Sequence, residues 1–419
     1  MKKLYLILCA GLLAFAAVSC NKDADNPKVE PAKAMTSSEL KQKLANTAVD
    51  ALNEVDPDNW NAWAQTGMKL VNSIRQVEGG NIQEISEDLE EAMTSIVEGD
   101  TKTTTTTLIK LSLVKGDITV EDNNFKYTKS NNPLNITYVM DGKTYKAQLE
   151  SEGDNGDGIT VSTREYEPIE AGKTEVKIVK VAVPTKAAIH VTENGKLFLD
   201  AVIYPTVEDK NGNGELDEND AIKGSATIQI PDYTLTLSDL LISDASVKAA
   251  ISLSHSGKAV LAIDAQASMD LFVERVKSFD EVTLNYIPKD LNGNVSVLGG
   301  TALLKANANV EKLQEIKVHY ESEDLAKSAA ATIAQNLKAD LYFDNNPTIQ
   351  ASLCVMVQKN VSQGWDVVAG VHLYDGSADV PASEFFDLKD EVWEPVVGKA
   401  NSFVTKIKEY FGGKQPAAQ

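Results

Sequence analysis

Across residues 108–373 the apolar residues of this chain fall at alternate positions, in short runs broken by turn-forming pairs. That pattern limits the fold more than any other feature, because a period of two dries one face of a strand and wets the other. Residues 136–149 reverse at Asp141-Gly142-Lys143, residues 189–203 at Asn194-Gly195-Lys196, and residues 251–267 at Ser256-Gly257-Lys258. Asp-Gly and Asn-Gly supply the positive φ angles of a two-residue hairpin turn, and Ser-Gly is a weaker form of the same signal. The second and third hairpins are also alike: Ala187-Ala188-Ile189 through Gly195-Lys196 to Leu199 aligns with Ala249-Ala250-Ile251 through Gly257-Lys258 to Leu261. Leu261, Ile263, Ala265 and Ala267 form a stripe opposite Ala262, Asp264, Gln266 and Ser268, and residues 349–357 and 365–373 alternate in the same way. One dry and one wet face predict antiparallel sheet covered on a single side.

Helical spacing brackets this region. Thr36-Ser37-Ser38-Glu39 has the form of a capping box, followed by Leu40, Leu44, Ala48, Ala51, Leu52 and Val55. Asp56-Pro57-Asp58 ends that helix and starts a second, in which Trp60, Trp63, Gly67, Leu70, Val71, Ile74 and Val77 share a face up to Gly79-Gly80. Trp60 and Trp63 stand at helical spacing with aliphatics, which predicts core packing rather than a sugar-stacking platform. Ile82, Ile85, Leu89, Ala92 and Ile96 predict a third helix ending at Gly99. Shorter helices are expected over 269–279 and 324–337, and two more over 383–394 and 396–411. The expected fold is α+β: a large, curved, mainly antiparallel sheet (101–380) with an N-terminal helical segment (36–99) and C-terminal helices (383–411) packed on it. Residues 412–419 read as a disordered tail. At the level of layout this resembles the LolA/LppX-like and BPI-like lipid-binding folds.

Ahead of the body, Lys2 and Lys3 precede a nearly unbroken apolar run over 4–18, then Ser19 and Cys20. About 15 apolar residues are too few to span a bilayer but suit a cleavable signal. Ala17-Val18-Ser19-Cys20 resembles the lipobox of bacterial lipoproteins, with Ala17 where leucine is commonest. The resemblance implies cleavage before Cys20, acylation of its thiol and amine, and attachment to a membrane. Lys22-Asp23 and Asp25 resemble the export signal of Bacteroides-type surface lipoproteins, which implies an outer-membrane, surface-exposed location, a periplasm-facing one being the alternative. Residues 20–35, with Pro27 and Pro31 among alternating charges, read as a flexible tether. Loss of residues 1–19 removes two lysines and moves the formal charge from −21 to −23. So acidic a body is unsuited to nucleic acid and to anionic lipid heads. Of the three cysteines, Cys9 lies in the signal and Cys20 is the anchor, leaving Cys354 in an apolar strand-like run where an inert thiol is expected.

One loop carries recognisable chemistry. Residues 209–220 place oxygen side chains at loop positions 1, 3, 5, 9 and 12, with Gly214 at 6 and Leu216 at 8. This is the spacing by which an EF-hand-type loop wraps a hard cation, and aspartate at the twelfth place resembles dockerin loops. Asp209, Asn211 and Asn213 are expected to ligate directly, Glu215 through its carbonyl, Asp217 directly or through water, and Asp220 by closing the loop. Both flanks read as strands, which predicts a structural calcium ion rather than a switch. Asp290-Leu291-Asn292-Gly293-Asn294 begins similarly but has Val295 where glycine is required, and is read as a turn, like residues 154–158.

His190, His255, His319 and His372 are scattered and read as structural, and there is no HExxH, GxSxG, phosphate loop or dinucleotide fingerprint. The function expected is a non-enzymatic, lipid-anchored binding or interaction module of the cell envelope, with an outer-membrane protein, a glycan or a lipid as partner. A surface hydrolase acting on glycan or peptide is the alternative, and a purely structural envelope component the third reading.

Overall fold

The three hairpin turns adopt the conformation that their sequences demand. φ is +52° and +74° at Asp141-Gly142, +48° and +77° at Asn194-Gly195, and +49° and +77° at Ser256-Gly257. Two consecutive positive φ values make a turn whose twist matches that of the strands it joins. The computed structural model describes residues 32–75, 94–99, 104–121, 124–153, 158–170, 173–217, 219–274, 283–362 and 364–411. The signal, Cys20, most of the tether and the tail lie outside the described residues.

Two helices come first, α1 (Ser37–Glu54) and α2 (Pro57–Arg75). Strands follow: β1 (Thr94–Gly99), β2 (Thr104–Lys110), β3 (Lys115–Glu121), β4 (Asn124–Met140), β5 (Lys143–Glu152), β6 (Ile159–Glu170) and β7 (Lys173–Ala182). Next are β8 (Lys186–Glu193), β9 (Lys196–Glu208), β10 (Ala221–Ile230), β11 (Tyr233–Ser243), β12 (Ser246–His255), β13 (Lys258–Glu274), β14 (Thr283–Val297) and β15 (Ala302–Asn309). The chain then runs through β16 (His319–Tyr320), α3 (Glu323–Asn336), β17 (Leu337–Phe343), β18 (Ala351–Lys359), β19 (Trp365–Leu373) and β20 (Val380–Pro381). It ends in α4 (Ala382–Phe385) and α5 (Glu394–Phe411). Sixteen strands belong to a single antiparallel sheet, so the α+β expectation holds.

The chain divides into two compact units, one of residues 1–61 and 245–419, the other of residues 62–244. In the first, the strand order is β16-β19-β18-β17-β15-β14-β13-β12, with β20 on β19. Leu40 and Ala45 of α1, Phe385 of α4 and Trp393 are buried with Ala302, Leu341, Phe343, Ala351, Val371 and Leu373 of the sheet. Leu40 and Phe385 are fully buried, each contributing roughly 1.5–3 kcal/mol of apolar transfer. Small residues let α3 lie close: Ala326, Ala329 and Ala330 pack on Val367, with Val355, Val357 and Trp365 around them. The predicted capping box is formed at Thr36 and Glu39. Asp56 ties the first unit's helices together, accepting the main-chain N–H of Asp58 (3.1 Å) and ammonium hydrogens of Lys399 (2.9 Å) and Lys406 (2.7 Å) on α5.

In the second unit the order is β11-β10-β9-β8-β5-β4-β3, beside a four-stranded sheet β1-β2-β7-β6 in which β2 and β7 run parallel. Trp63 of α2 packs 5.6 Å from Phe198, donates its indole N–H to the Phe198 carbonyl (2.7 Å), and covers Tyr145 and Val191. Core packing is therefore the role of Trp63. Farther along the same face, among the described residues, no helix of this unit covers the strands. Register puts Ile189 opposite Ala201, Ala201 opposite Ile228, Ile228 opposite Leu235, and Ile222 opposite Ile242. Ile189, Ile203, Ile228, Leu235 and Ile242 are each 37–45% exposed. The opposite face of these strands carries His190, Asp200, Thr227, Thr234 and Thr236.

Four local expectations fail. Thr94–Gly99 is a strand, because β-branched Ile96 and Val97 lie opposite Thr107 and Thr106 in the threonine run of β2; the rest of that expected helix lies outside the described residues. Residues 269–274 continue β13, since ladder pairing with Thr283–Pro288 outweighs a weak helical period. Residues 290–294 are no turn but the middle of β14, paired on both sides. The helix expected over 383–394 shrinks to the single turn of α4, and α5 begins at Glu394 with Pro395 in its first turn, where a missing N–H costs nothing.

Candidate functional site

The loop between β9 and β10 is closed by its first and last carboxylates, and its flanks are strands as expected. Asp209 Oδ1 accepts the N–H of Gly212 (2.7 Å) and Asn213 (3.2 Å), and Oδ2 accepts that of Gly214 (2.7 Å). Gly212 and Gly214 have φ of +70° and +72°, which a side chain would oppose. Asp220 is 5% exposed and accepts the N–H of Lys210 (3.2 Å) and of Asp217 (2.8 Å). Asp217 is the centre of the ring. Its Oδ2 accepts from the side-chain amides of Asn211 (3.0 Å) and Asn213 (2.8 Å). Its Oδ1 accepts from Asn219 (2.7 Å), and these hydrogen bonds, led by that main-chain N–H, hold the carboxyl below its ordinary value.

Asn211 and Asn213 are thus gathered at Asp217, while Asp209 and Asp220 each hold main-chain N–H groups of the loop. Glu215 has an exposed side chain and would offer its carbonyl. A bridge to Thr160 of β6 uses the Gly214 carbonyl (2.8 Å) and the Leu216 N–H (2.8 Å), and so spares the Glu215 carbonyl. Among the described residues no three histidine, cysteine, aspartate or glutamate side chains are placed to hold a metal. A cation here would rest on amide and main-chain oxygens beside its carboxylates, a donor set that suits calcium. As placed, each asparagine directs its nitrogen at Asp217 and its oxygen at a main-chain N–H, Asn211 at that of Asn213 (3.0 Å) and Asn213 at that of Glu215 (2.7 Å), so both side chains would have to leave these bonds to face a cation.

The four histidines are paired off. One ring nitrogen of each histidine lies 2.6–2.7 Å from a carboxylate: His190 with Asp200, His255 with Glu54, His319 with Asp366, and His372 with Asp379. Cys354 is half-buried, and burial, with Asp379 beside it, pushes its thiol up to about 12. At neutral pH it stays a thiol and a poor nucleophile.

A second site escaped the sequence reading. Gln266 and Ser268 of β13, Asp290 and Asn292 of β14, Asn307 and Asn309 of β15, and Gln335 and Asn336 at the end of α3 line a recess of about 390 Å³. Gln266, Asn292 and Asn307 are direct cross-strand neighbours, as are Ser268, Asp290 and Asn309. The available signal was the wet half of the alternation, which carries amides there instead of charges. Set against protein-family models, curated proteins and solved structures, the chain matches none of them.

Proposed function

We propose that this chain is a lipid-anchored protein of the outer membrane, surface-exposed, that works as a binding or interaction module. The observation carrying this reading is the exposed apolar face of β8–β11, which no described helix of its unit covers. Solvent-exposed rows of isoleucine and leucine on a rigid sheet lose free energy by standing in water, and contiguous patches of this kind mark sites where another molecule sits. Attachment through Cys20 keeps that face at the membrane surface. A photo-crosslinking residue placed at Ile228 in growing cells is expected to capture a partner protein or lipid as a heavier adduct, while the same residue at Thr227 on the wet face does not. Equal yields at the two positions, or none at either, would sink the reading.

The loop 209–220 serves this module as a structural calcium site that stiffens the β9–β10 connection. Ligation is by Asp209, Asn211, Asn213, the Glu215 carbonyl, Asp217 and Asp220. Extracellular calcium modules bind at roughly 10⁻⁴–10⁻³ M, so about 10 mM calcium stabilises by ~1.5–3 kcal/mol, a few degrees of melting temperature. Chelator is expected to lower the midpoint of the wild-type protein by that amount and to leave Asp209→Ala unmoved. An identical wild-type midpoint with calcium and with chelator would remove the ion.

A further inference from the structure

We infer that the recess on the wet side of β13–β15 binds a neutral glycan through its amide rows. This deepens the reading of the chain as a binding module, and names the ligand class for a site in the first unit.

The argument begins with unspent hydrogen-bonding capacity. The side-chain amides of Gln266, Asn292, Asn307 and Gln335 make no hydrogen bond to any described residue, and all four are exposed. Their neighbours are engaged: Ser268 and Asp290 bond each other (3.2 Å), Asn309 accepts from the Lys312 N–H (3.1 Å), and Asn336 donates to the Thr332 carbonyl (2.8 Å). The free amides therefore stand between fixed polar walls. Three of them sit on paired strands about 4.8 Å apart, so they form one straight row whose backbone cannot rearrange.

Each amide offers two donors and an acceptor side by side. A pair of neighbouring sugar hydroxyls offers the complementary acceptor and donor, so a row of amides matches a row of hydroxyls without any charge. The recess excludes other classes by what lines it. No lysine or arginine is in the lining to meet a phosphate or sulfate, and its one carboxylate, Asp290, opposes anions. Apart from Ala308 every lining side chain is polar, so an acyl chain would gain nothing there.

The test uses the full chain solubilised in detergent, titrated by calorimetry with a panel of neutral oligosaccharides: maltohexaose, cellohexaose, xylohexaose and mannohexaose. Heparin oligosaccharide serves as the charged control. At least one neutral glycan is expected to bind, and heparin is not. Asn292→Ala and Asn307→Ala, both at exposed positions, should each weaken that binding about tenfold while the melting temperature stays put. Gln266→Glu and Asn292→Asp keep the size and change the charge, and should weaken it as well. Absence of binding by all four glycans overturns the proposal, as does preferred binding of heparin or binding indifferent to Asn292 and Asn307. Failure here leaves the crosslinking at Ile228 unaffected, so the two readings fall separately.

Discussion

Full-length protein carrying Cys20→Ala is expected in the aqueous fraction of lysed cells, and the wild-type chain in the membrane fraction. The contrast should be large, because acyl chains at Cys20 would supply strong membrane affinity. Two or three acyl chains contribute about 0.8 kcal/mol per buried methylene, whereas a single chain holds only marginally. Among the described residues no helix is long and apolar enough to cross a membrane. A formal charge of −21 is repelled by anionic head groups. Fractionation followed by a high-salt wash is the measurement. Cys20→Ala that still sediments with membranes after the wash would place attachment elsewhere, with the apolar face of β8–β11 as the first alternative.

Asp56→Ala should destabilise the protein by about 2–4 kcal/mol, the combined loss of a helix cap and of two charge-assisted hydrogen bonds at a mostly buried carboxylate. Asp56 is 16% exposed and its partners Lys399 and Lys406 are 31% and 22% exposed, so water screens this cluster only in part. Burial alone would raise the Asp56 pKa; hydrogen bonds from Lys406 and Lys399 override it and leave the carboxyl far below its ordinary 3.8. A depressed folded-state pKa makes a contribution that is whole above the unfolded value and fades as pH falls through the folded one. The stability gap between wild type and Asp56→Asn should therefore be constant above about pH 5 and narrow below about pH 4. Denaturant melts at pH 7 and pH 3 give the comparison. A gap of equal size at both would mean that the charge on Asp56 is not its source.

What could be read from sequence was what is local. The type of turn at Asn194-Gly195 depends on two residues, and the oxygen ring of 209–220 on twelve, so composition and spacing suffice for both. The period of two fixed the wet and dry faces in the same way. Misreadings came where a distant partner decides. Ile96 is a strand residue because Thr107 lies beside it, and Asp290 is a strand residue because Ser268 and Asn309 flank it. The parallel pairing of Thr104–Lys110 with Val176–Ala182 has no local trace at all. The amide recess shows locally only as the wet half of an alternation, for its eight polar side chains come from segments spread over 266–336. No one of them is unusual where it stands, and only the register makes them a row.

The order of strands has a kinetic consequence. β8, β9, β10 and β11 lie side by side in chain order, as do β12, β13, β14 and β15. Closing a short loop costs little entropy, so ladders of this kind grow one hairpin at a time from contacts close in sequence. The tight turns at Asn194-Gly195 and Ser256-Gly257 are the natural starting points, and neither needs the rest of the chain to be present. The joints that must wait are β7 returning to β2 and β8 returning to β5, each across a long intervening segment. Replacing Gly195 would thus slow the growth of its ladder, while a change in β7 would leave that growth intact and delay only the final closure.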